Sequence, residues 1–152
     1  MNYHIGCGYT VGKSWLNYDS SLIALIDQIP LLNKFFRLNK IKFPKGIKYG
    51  NILKNKLCEE NAAENIFCSH VLEHVTYEES KKILNNIYYM LKVGGNFRIV
   101  VPSLEVRINE YLEKNDANLF MESLGCVEKN ENLNLIKKLR FLFGNSRHKW
   151  MY

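Results

Sequence analysis

The stretch CSHVLEH at residues 68–74 decides the fold of this chain, together with Gly94-Gly95 further along. The apolar residues 65–68 predict a strand that ends in this polar cluster. Residues 97–101 predict a second strand, and Pro102 ends it because proline has no backbone N–H to donate to a sheet. Two strands that flank a segment of helix length are typical of a βαβ unit, in which both strands run in the same direction.

The segment between these strands carries the clearest helix signals in the sequence. Thr76 and Glu79 have the spacing of a capping box, in which each side chain accepts a hydrogen bond from the other residue's backbone N–H. Gly94 is predicted to end the helix, because glycine readily adopts the left-handed conformation that follows many helices. One apolar stripe at helical spacing lies between these signals: Ile83, Leu84, Ile87, Met90 and Leu91.

Shorter apolar runs predict the remaining elements. Strands are predicted at 3–5, 15–18 and 47–49, an apolar segment covers 22–29, and helices are predicted at 31–38, 104–114, about 117–124 and 133–143. Strands that alternate with helices favour an α/β fold with a parallel sheet. The length of 152 residues fits a single domain that spans residues 1–152.

Composition excludes several classes of protein. Hydrophobic residues make up 47% of the chain, which excludes a wholly disordered protein. No apolar run reaches the roughly 18 residues that a membrane-spanning helix needs, and the first residues lack the basic and apolar regions of a signal peptide. The four cysteines form no CxxC pair, which predicts reduced thiols in a cytoplasmic protein. The histidines and glutamates do not have the spacing of metal ligands, so no metal is predicted.

The net charge of +6 is unevenly distributed. No acidic residue lies between Asp27 and Glu59, and aromatic residues are interleaved with the basic ones there. Such an interval can hold nucleic acid, an anionic membrane surface or a phosphorylated substrate, and an ordinary solvated surface is an equal alternative. The basic residues are Lys34, Arg37, Lys40, Lys42, Lys45, Lys48, Lys54 and Lys56.

Four segments converge on the carboxyl ends of the predicted strands: Gly6, Asp19, Asn51 and Ser69-His70. Ligands of open parallel sheets bind at this edge. A glycine there lets the backbone approach a ligand closely, and an aspartate can accept hydrogen bonds from both hydroxyls of a ribose. The alternatives are an ordinary turn at the glycines and an N-cap role for Asp19, for which Ser20 and Ser21 compete.

The ordered set of Gly6-x-Gly8, Asp19, the SHVLEH segment, Gly94-Gly95 and Pro102 resembles class I S-adenosylmethionine (SAM) dependent methyltransferases of the methyltransferase-11 type. The resemblance implies a Rossmann-like three-layer sandwich with a mostly parallel sheet. It also implies SAM as the cofactor and a methyl acceptor as the substrate.

The resemblance assigns cofactor roles residue by residue. It implies that Gly6, Cys7 and Gly8 wrap the methionine part of SAM and that Asp19 binds the ribose. Asn51 and Ile52 then contact the adenine, and the backbone of Ser69 and His70 receives the methionine ammonium. His70 and Glu73 are the catalytic candidates, since a histidine base helps when the acceptor is a hydroxyl or an ammonium. His70 as a loop anchor, and Glu73 as a partner of the helix dipole, are the structural alternatives.

The chain departs from the family pattern in several places. His4 replaces the usual acid before the glycine loop, and a third glycine is absent. Only residues 9–18 lie between Gly8 and Asp19, too few for a crossover helix, so an irregular loop containing Gly12 is expected. The sequence stops where a further helix and two strands normally follow, so the last strands are expected to be missing. An exposed sheet edge would then support self-association or be covered by residues 104–143.

The leading hypothesis is therefore a SAM-dependent methyltransferase with an unidentified acceptor, for which a sugar, a glycan or a lipid-linked molecule is plausible by analogy. One alternative is a non-catalytic SAM-binding module, and another is a nucleic-acid-binding protein that uses the basic interval. A dinucleotide-dependent oxidoreductase is disfavoured because Gly6-Cys7-Gly8 lacks the third glycine and no helix N-terminus follows it to hold a pyrophosphate.

Overall fold

The computed structural model describes residues 1–29 and 44–124, and it contains a five-stranded, fully parallel sheet. The strands are β1 Asn2–Ile5, β2 Leu16–Asp19, β3 Ile47–Tyr49, β4 Ala63–Ser69 and β5 Leu91–Val100. The helices are α1 Leu22–Asp27, α2 Tyr77–Met90, α3 Leu104–Lys114 and α4 Ala117–Ser123, with a 3-10 helix at Leu72–His74. The structure confirms the predicted Rossmann-like α/β fold.

The strand order β3-β2-β1-β4-β5 fixes where a ligand can bind. The chain moves outward from β1 to β3 and then returns to the other side of β1 to form β4. The carboxyl ends of β1 and β4 are therefore neighbours at the point where the direction of winding reverses. In open α/β sheets the crevice at this switch point is the usual ligand site.

One face of the sheet packs against α2 and forms the hydrophobic core. The register pairs Tyr3 with Ile66 and Ile5 with Cys68, and all four side chains are buried. From α2 the same core receives Ile83, Ile87 and Met90, which are at most 1% exposed. Ile83, Ile87 and Met90 confirm part of the apolar stripe predicted for the helix, whereas Leu84 is 39% exposed and Leu91 belongs to β5.

Both ends of α2 can be compared with the sequence-based expectation. The capping box is present, because the Glu79 N–H donates to Thr76 Oγ1 at 3.3 Å and the Thr76 N–H donates to Glu79 Oε2 at 2.7 Å. The prediction that Gly94 ends the helix was wrong. The helix ends at Met90, because Leu91 is already extended and pairs with the buried Ala63 in the sheet.

Gly94 and Gly95 lie instead in a bulge near the start of β5. The register passes from the pair Ala63–Leu91 to the pair Asn65–Asn96, so more residues lie on β5 than on β4 between these two pairs. A Cβ on Gly95 would lie 2.9 Å from the Lys92 carbonyl oxygen and 3.0 Å from the Glu64 carbonyl oxygen. Residues 92–95 thus form an irregularity inside the strand, which begins at Leu91 and not at residue 97 as predicted.

The connection from β1 to β2 contains no helix, as predicted from its length. A buried strand residue, Asn17, holds it in place. The Gly12 N–H donates to Asn17 Oδ1 at 3.0 Å, and Asn17 Nδ2 donates to the carbonyl oxygens of Gly12 at 3.1 Å and Trp15 at 2.8 Å. One side chain therefore satisfies the backbone groups that a helix would have paired internally.

Within the described ranges β5 pairs only with β4 and is an edge of the sheet. The predicted helices after it are confirmed as α3 and α4, which contact each other through Tyr111 and Phe120, with ring centroids 5.1 Å apart. Neither helix contains a fully buried residue. Self-association through the β5 edge stays a prediction, and the helices predicted at 31–38 and 133–143 lie outside the described residues.

No helix in residues 1–29 and 44–124 combines the length and the hydrophobicity needed to cross a bilayer.

Candidate functional site

The glycine loop at Gly6–Gly8 continues directly from β1. The N–H groups of Gly6 and Cys7 both donate to the Tyr18 carbonyl oxygen, at 2.9 and 3.1 Å, so the loop stays tied to β2. Gly6 has φ +70 and Gly8 has φ +53, a region that favours glycine. The loop therefore turns at the carboxyl ends of the two strands, where the sequence analysis placed a ligand.

The two glycines are required for different reasons. A Cβ on Gly6 would lie 2.2 Å from Val71 Cγ2 and 3.1 Å from the Ser69 carbonyl oxygen. A Cβ on Gly8 would have no heavy atom within 4 Å. Gly6 thus permits close contact with the segment that follows β4, whereas Gly8 borders open space. The sequence pattern predicted ligand approach at both glycines and contained no sign of the contact between Gly6 and Val71.

Asp19 joins the glycine loop to the start of α1. Its Oδ2 accepts a hydrogen bond from the Gly8 N–H at 2.9 Å, and its Oδ1 accepts one from the Ser21 N–H at 2.8 Å. Ser21 is the N-cap of α1, since its hydroxyl accepts from the Ala24 N–H at 3.3 Å. A carboxylate has about four acceptor positions, so Asp19 keeps the capacity to accept two further hydrogen bonds.

Asn51 and Ile52 follow the end of β3, and both are engaged within the protein. Asn51 Oδ1 accepts hydrogen bonds from the Leu53 N–H at 3.0 Å and the Lys54 N–H at 3.3 Å. An amide oxygen has two lone pairs, so these two bonds use its acceptor capacity. Ile52 is only 4% exposed and belongs to the core. Both residues lie at the predicted edge, but the Asn51 oxygen and the Ile52 side chain are already engaged by the protein.

Ser69 and His70 form the end of β4. His70 is one of three non-glycine residues with positive φ in the described part of the chain, at +53, and its N–H donates to the Val100 carbonyl oxygen at 3.0 Å. His70 Nδ1 lies 2.9 Å from Glu73 Oε1. The imidazole is 59% exposed, whereas the Glu73 side chain is completely buried. Glu73 Oε2 has no hydrogen-bond partner in the described part of the chain.

Burial controls the protonation of the thiols at this edge. Burial, assisted by the negative charge of Asp19, raises the pKa of Cys7 to about 12. Burial, assisted by the charge of Glu73, raises the pKa of Cys68 to about 12 as well. Both thiols are therefore protonated at neutral pH and are poor nucleophiles. Cys7 can contribute to ligand binding through its backbone.

His4 occupies the position where the family pattern has an acid. It is 6% exposed, and burial lowers its pKa, so the imidazole is neutral at neutral pH. Its ring lies against Phe67 with centroids 4.9 Å apart. His4 thus packs on the sheet face opposite the core, where a neutral ring can be buried at lower cost than a carboxylate.

The structure brings together most of the predicted site. Gly6, Gly8 and Asp19 are in direct contact with one another or with Ser69 and Val71, and His70 follows Ser69 in the chain. Among residues 1–29 and 44–124, no three histidine, cysteine, aspartate or glutamate side chains are grouped as metal ligands would be.

The sequence of residues 3–99 matches the family described as methyltransferase domain. This match covers more than half of the chain, and the chain belongs to this family of SAM-dependent methyltransferases. A comparison with curated protein sequences gave no match.

Solved structures with a similar arrangement share little sequence with the chain. A SAM-dependent methyltransferase from Archaeoglobus fulgidus is 17% identical with a TM-score of 0.48, over 95% of this chain and 76% of that one. The PH0226 protein from Pyrococcus horikoshii is 14% identical with a TM-score of 0.46, over 75% and 52%. Phosphoethanolamine N-methyltransferase 1 from Haemonchus contortus, solved with phosphoethanolamine and S-adenosylhomocysteine, is 16% identical with a TM-score of 0.43, over 64% and 21%. The chain thus spans about a fifth of the Haemonchus protein and about half of the Pyrococcus protein.

Proposed function

We propose that this chain binds SAM at the carboxyl edge of the sheet and transfers a methyl group to an acceptor. The observation that carries the proposal is the joining of three separate segments at one place. Asp19 holds the glycine loop through Gly8, and Gly6 packs against Ser69 and Val71. When bound, SAM supplies an electrophilic methyl group on a sulfonium.

The residues at this edge fit the cofactor. Open space at Gly8 leaves room beside the backbone of Gly6, Cys7 and Gly8 for the methionine part. The two acceptor positions that Asp19 retains suit the two ribose hydroxyls. The carbonyl oxygens of Ser69 and His70 are suitable acceptors for the methionine ammonium.

The adenine end requires a different arrangement from the one the resemblance implies. Because the Asn51 oxygen accepts two backbone hydrogen bonds, we assign Asn51 to donate through its amide nitrogen. Ile52 lies in the core beneath this turn, and its carbonyl oxygen accepts from Asn86 Nδ2 at 2.7 Å. The backbone of this turn then forms the contact surface for the base.

Substitution of Asp19 by alanine tests the cofactor site. We expect SAM affinity to fall by about 1.5–3 kcal/mol, because hydrogen bonds to a charged acceptor contribute about that much. Calorimetry gives the affinity, and urea unfolding shows whether the variant is folded, since Gly8 and Ser21 also lose their acceptor. Ser20→Ala, at an exposed neighbour, is the matched control and should bind like the parent. Unchanged SAM affinity in folded Asp19→Ala would remove Asp19 from the site.

We further propose that the acceptor is anionic, such as a phosphate-linked sugar, glycan or lipid. The support is the acid-free interval from 28 to 58, in which the described lysines lie in and around β3: Lys45 before it, Lys48 within it, and Lys54 and Lys56 after it. SAM itself is cationic at sulfur and gains nothing from this charge.

Charge reversal tests the anionic acceptor. We expect Lys34→Glu, Arg37→Glu and Lys40→Glu together to raise the KM for the acceptor and to flatten its salt dependence, with SAM affinity nearly unchanged. These three residues lie outside the described ranges. The matched control reverses Lys81, Lys82 and Lys92 on and after α2. Parent-like turnover by the first triple variant would show that the interval is an ordinary solvated surface.

The same measurements separate the other hypotheses. SAM binding without transfer to a broad acceptor panel would indicate a non-catalytic SAM-binding module. RNA or DNA binding with a steep salt dependence would indicate a nucleic-acid partner for the basic interval. Cytoplasmic location stays a prediction.

A further inference from the structure

Glu73 is the most unusual ionisable residue in the described part of the chain. Its side chain is completely buried in the 3-10 helix Leu72–His74, and glutamate is almost never fully buried unless it is paired. One carboxylate oxygen lies 2.9 Å from His70 Nδ1, and the other has no hydrogen-bond partner in the described ranges. Desolvation of this carboxyl group opposes folding. The contact with His70 points to a functional role for this buried carboxyl group.

His70 is held in a strained backbone conformation. Its φ of +53 lies in the left-handed region, which is unfavourable for a non-glycine residue. The bond from its N–H to Val100 and the contact of Nδ1 with Glu73 hold it there. The imidazole remains 59% exposed, so its second nitrogen is accessible from solvent. Strain of this kind is concentrated at functional sites.

His70 also lies near the glycine loop. The Ser69 carbonyl, which precedes His70, would lie 3.1 Å from a Cβ on Gly6. His70 therefore lies at the same edge of the sheet as the loop proposed to hold the cofactor.

We propose that His70 is the general base of the methyl transfer, that Glu73 is its positioning residue, and that the acceptor is a hydroxyl or an amine. This inference rests on the proposed function. Glu73 Oε1 accepts a hydrogen bond from Nδ1–H and so fixes the tautomer in which Nε2 carries a lone pair. The basic nitrogen is then the exposed one.

The chemistry balances with these groups. The acceptor's oxygen or nitrogen forms a bond to the methyl carbon, while the bond from that carbon to sulfur breaks and its electron pair stays on sulfur. The acceptor's proton passes to His70 Nε2. The resulting imidazolium keeps its Nδ1–H on the Glu73 carboxylate, so a buried negative charge stabilises the positive charge that forms.

A general base is needed only by acceptors that keep their proton at neutral pH, and this defines the class of acceptor. An alkyl hydroxyl or an ammonium retains its proton at neutral pH and is a weak nucleophile until the proton is removed. A thiol ionises more readily, and its thiolate attacks without a base. A fixed histidine base therefore serves oxygen or nitrogen acceptors.

The tautomer of His70 is the first test, and it needs neither cofactor nor acceptor. Long-range 15N–1H NMR on the labelled full chain distinguishes Nδ1–H from Nε2–H, and His70→Gln assigns the signals. We expect the Nδ1–H tautomer in the parent and a mixture of tautomers in Glu73→Gln. Glu78→Gln, at an exposed residue of α2 paired with Lys81, is the matched control and should leave the tautomer unchanged. An Nε2–H tautomer in the parent would make His70 a proton donor and overturn the proposal.

Transfer of labelled methyl groups is the second test. The probes are a simple alcohol, a primary amine and an alkyl thiol that has no hydroxyl group. We expect transfer to the alcohol or the amine, measured at saturating SAM, that falls about 10²–10⁴-fold in His70→Ala. Added imidazole should restore part of the lost rate, because the side chain it replaces is exposed. Equal rates in the parent and His70→Ala, or transfer to the thiol alone, would contradict the proposal.

Calorimetry with SAM separates the two levels of inference. Failure of the parent to bind SAM would contradict the proposed function. A parent that binds SAM but shows the Nε2–H tautomer would contradict only the role of His70.

Discussion

Gly6→Ala is expected to destabilise the protein by about 2–5 kcal/mol and to disrupt the cofactor edge. The new Cβ would lie 2.2 Å from Val71 Cγ2, and the backbone has φ +70. Overpacking costs about 1–3 kcal/mol, and the left-handed conformation costs a non-glycine residue roughly 1–2 kcal/mol. Urea unfolding gives the loss of stability, and calorimetry gives the accompanying loss of SAM affinity.

Gly8→Ala is the matched control for this substitution. Its backbone is also left-handed, at φ +53, but no heavy atom lies within 4 Å of its Cβ. It should cost only the conformational part, roughly 1–2 kcal/mol. Val71→Ala should partly rescue Gly6→Ala, because it removes the nearest clashing atom. Equal losses for the two glycine variants, with no rescue, would show that the contact with Val71 does not matter.

Asn17→Ala is expected to cost about 2–4 kcal/mol of stability and to loosen the connection between β1 and β2. The substitution leaves the Gly12 N–H and the carbonyl oxygens of Gly12 and Trp15 without their partner. Each buried polar group that loses its partner costs about 1–3 kcal/mol, although access of water to this loop reduces the sum. Denaturant unfolding and amide exchange at Gly12 measure the effect.

The control for Asn17→Ala is the same substitution at Asn96. Asn96 is exposed on β5 and donates one side-chain hydrogen bond to Asn65 Oδ1 at 3.0 Å. Its loss should change stability by about 0.5 kcal/mol or less, as for most surface substitutions. If both variants lose the same small amount, Asn17 does not organise the loop.

The parallel sheet and the main helix were predictable because their signals are local. Thr76 and Glu79 have the spacing of a capping box, and the stripe from Ile83 to Met90 has the period of a helix. The end of α2 was not predictable, because Leu91 gains more from pairing with Ala63 in the sheet than from extending the helix to Gly94. Competition between a helix and a strand for one residue is decided by tertiary packing, which a local pattern does not contain.

The candidate site was predictable in position and less so in detail. The carboxyl ends of parallel strands lie at one edge of the sheet, so the predicted strands placed Gly6, Asp19 and His70 correctly at that edge. The Asn51 oxygen accepts from the backbone N–H groups of Leu53 and Lys54. The sequence does not show which N–H groups after β3 lack another partner. The close contact of Gly6 with Val71 joins residues far apart in the chain and leaves no local signal. Asn17 could have been noticed as a polar residue within an otherwise apolar strand.

The strand order also determines when the site can form during synthesis. β1 lies in the middle of the sheet and pairs with β4. The segment after β4, against which Gly6 packs, is therefore synthesised long after Gly6. A nascent chain that ends before β4 contains the glycine loop and Asp19 but lacks Ser69, His70 and Val71. Pairing of such distant segments is slow, because the loop between them must close before any contact is gained. The proposed cofactor site is therefore completed late in the folding of this chain, and the early β1–β2–β3 segment exposes the β1 edge until β4 pairs with it.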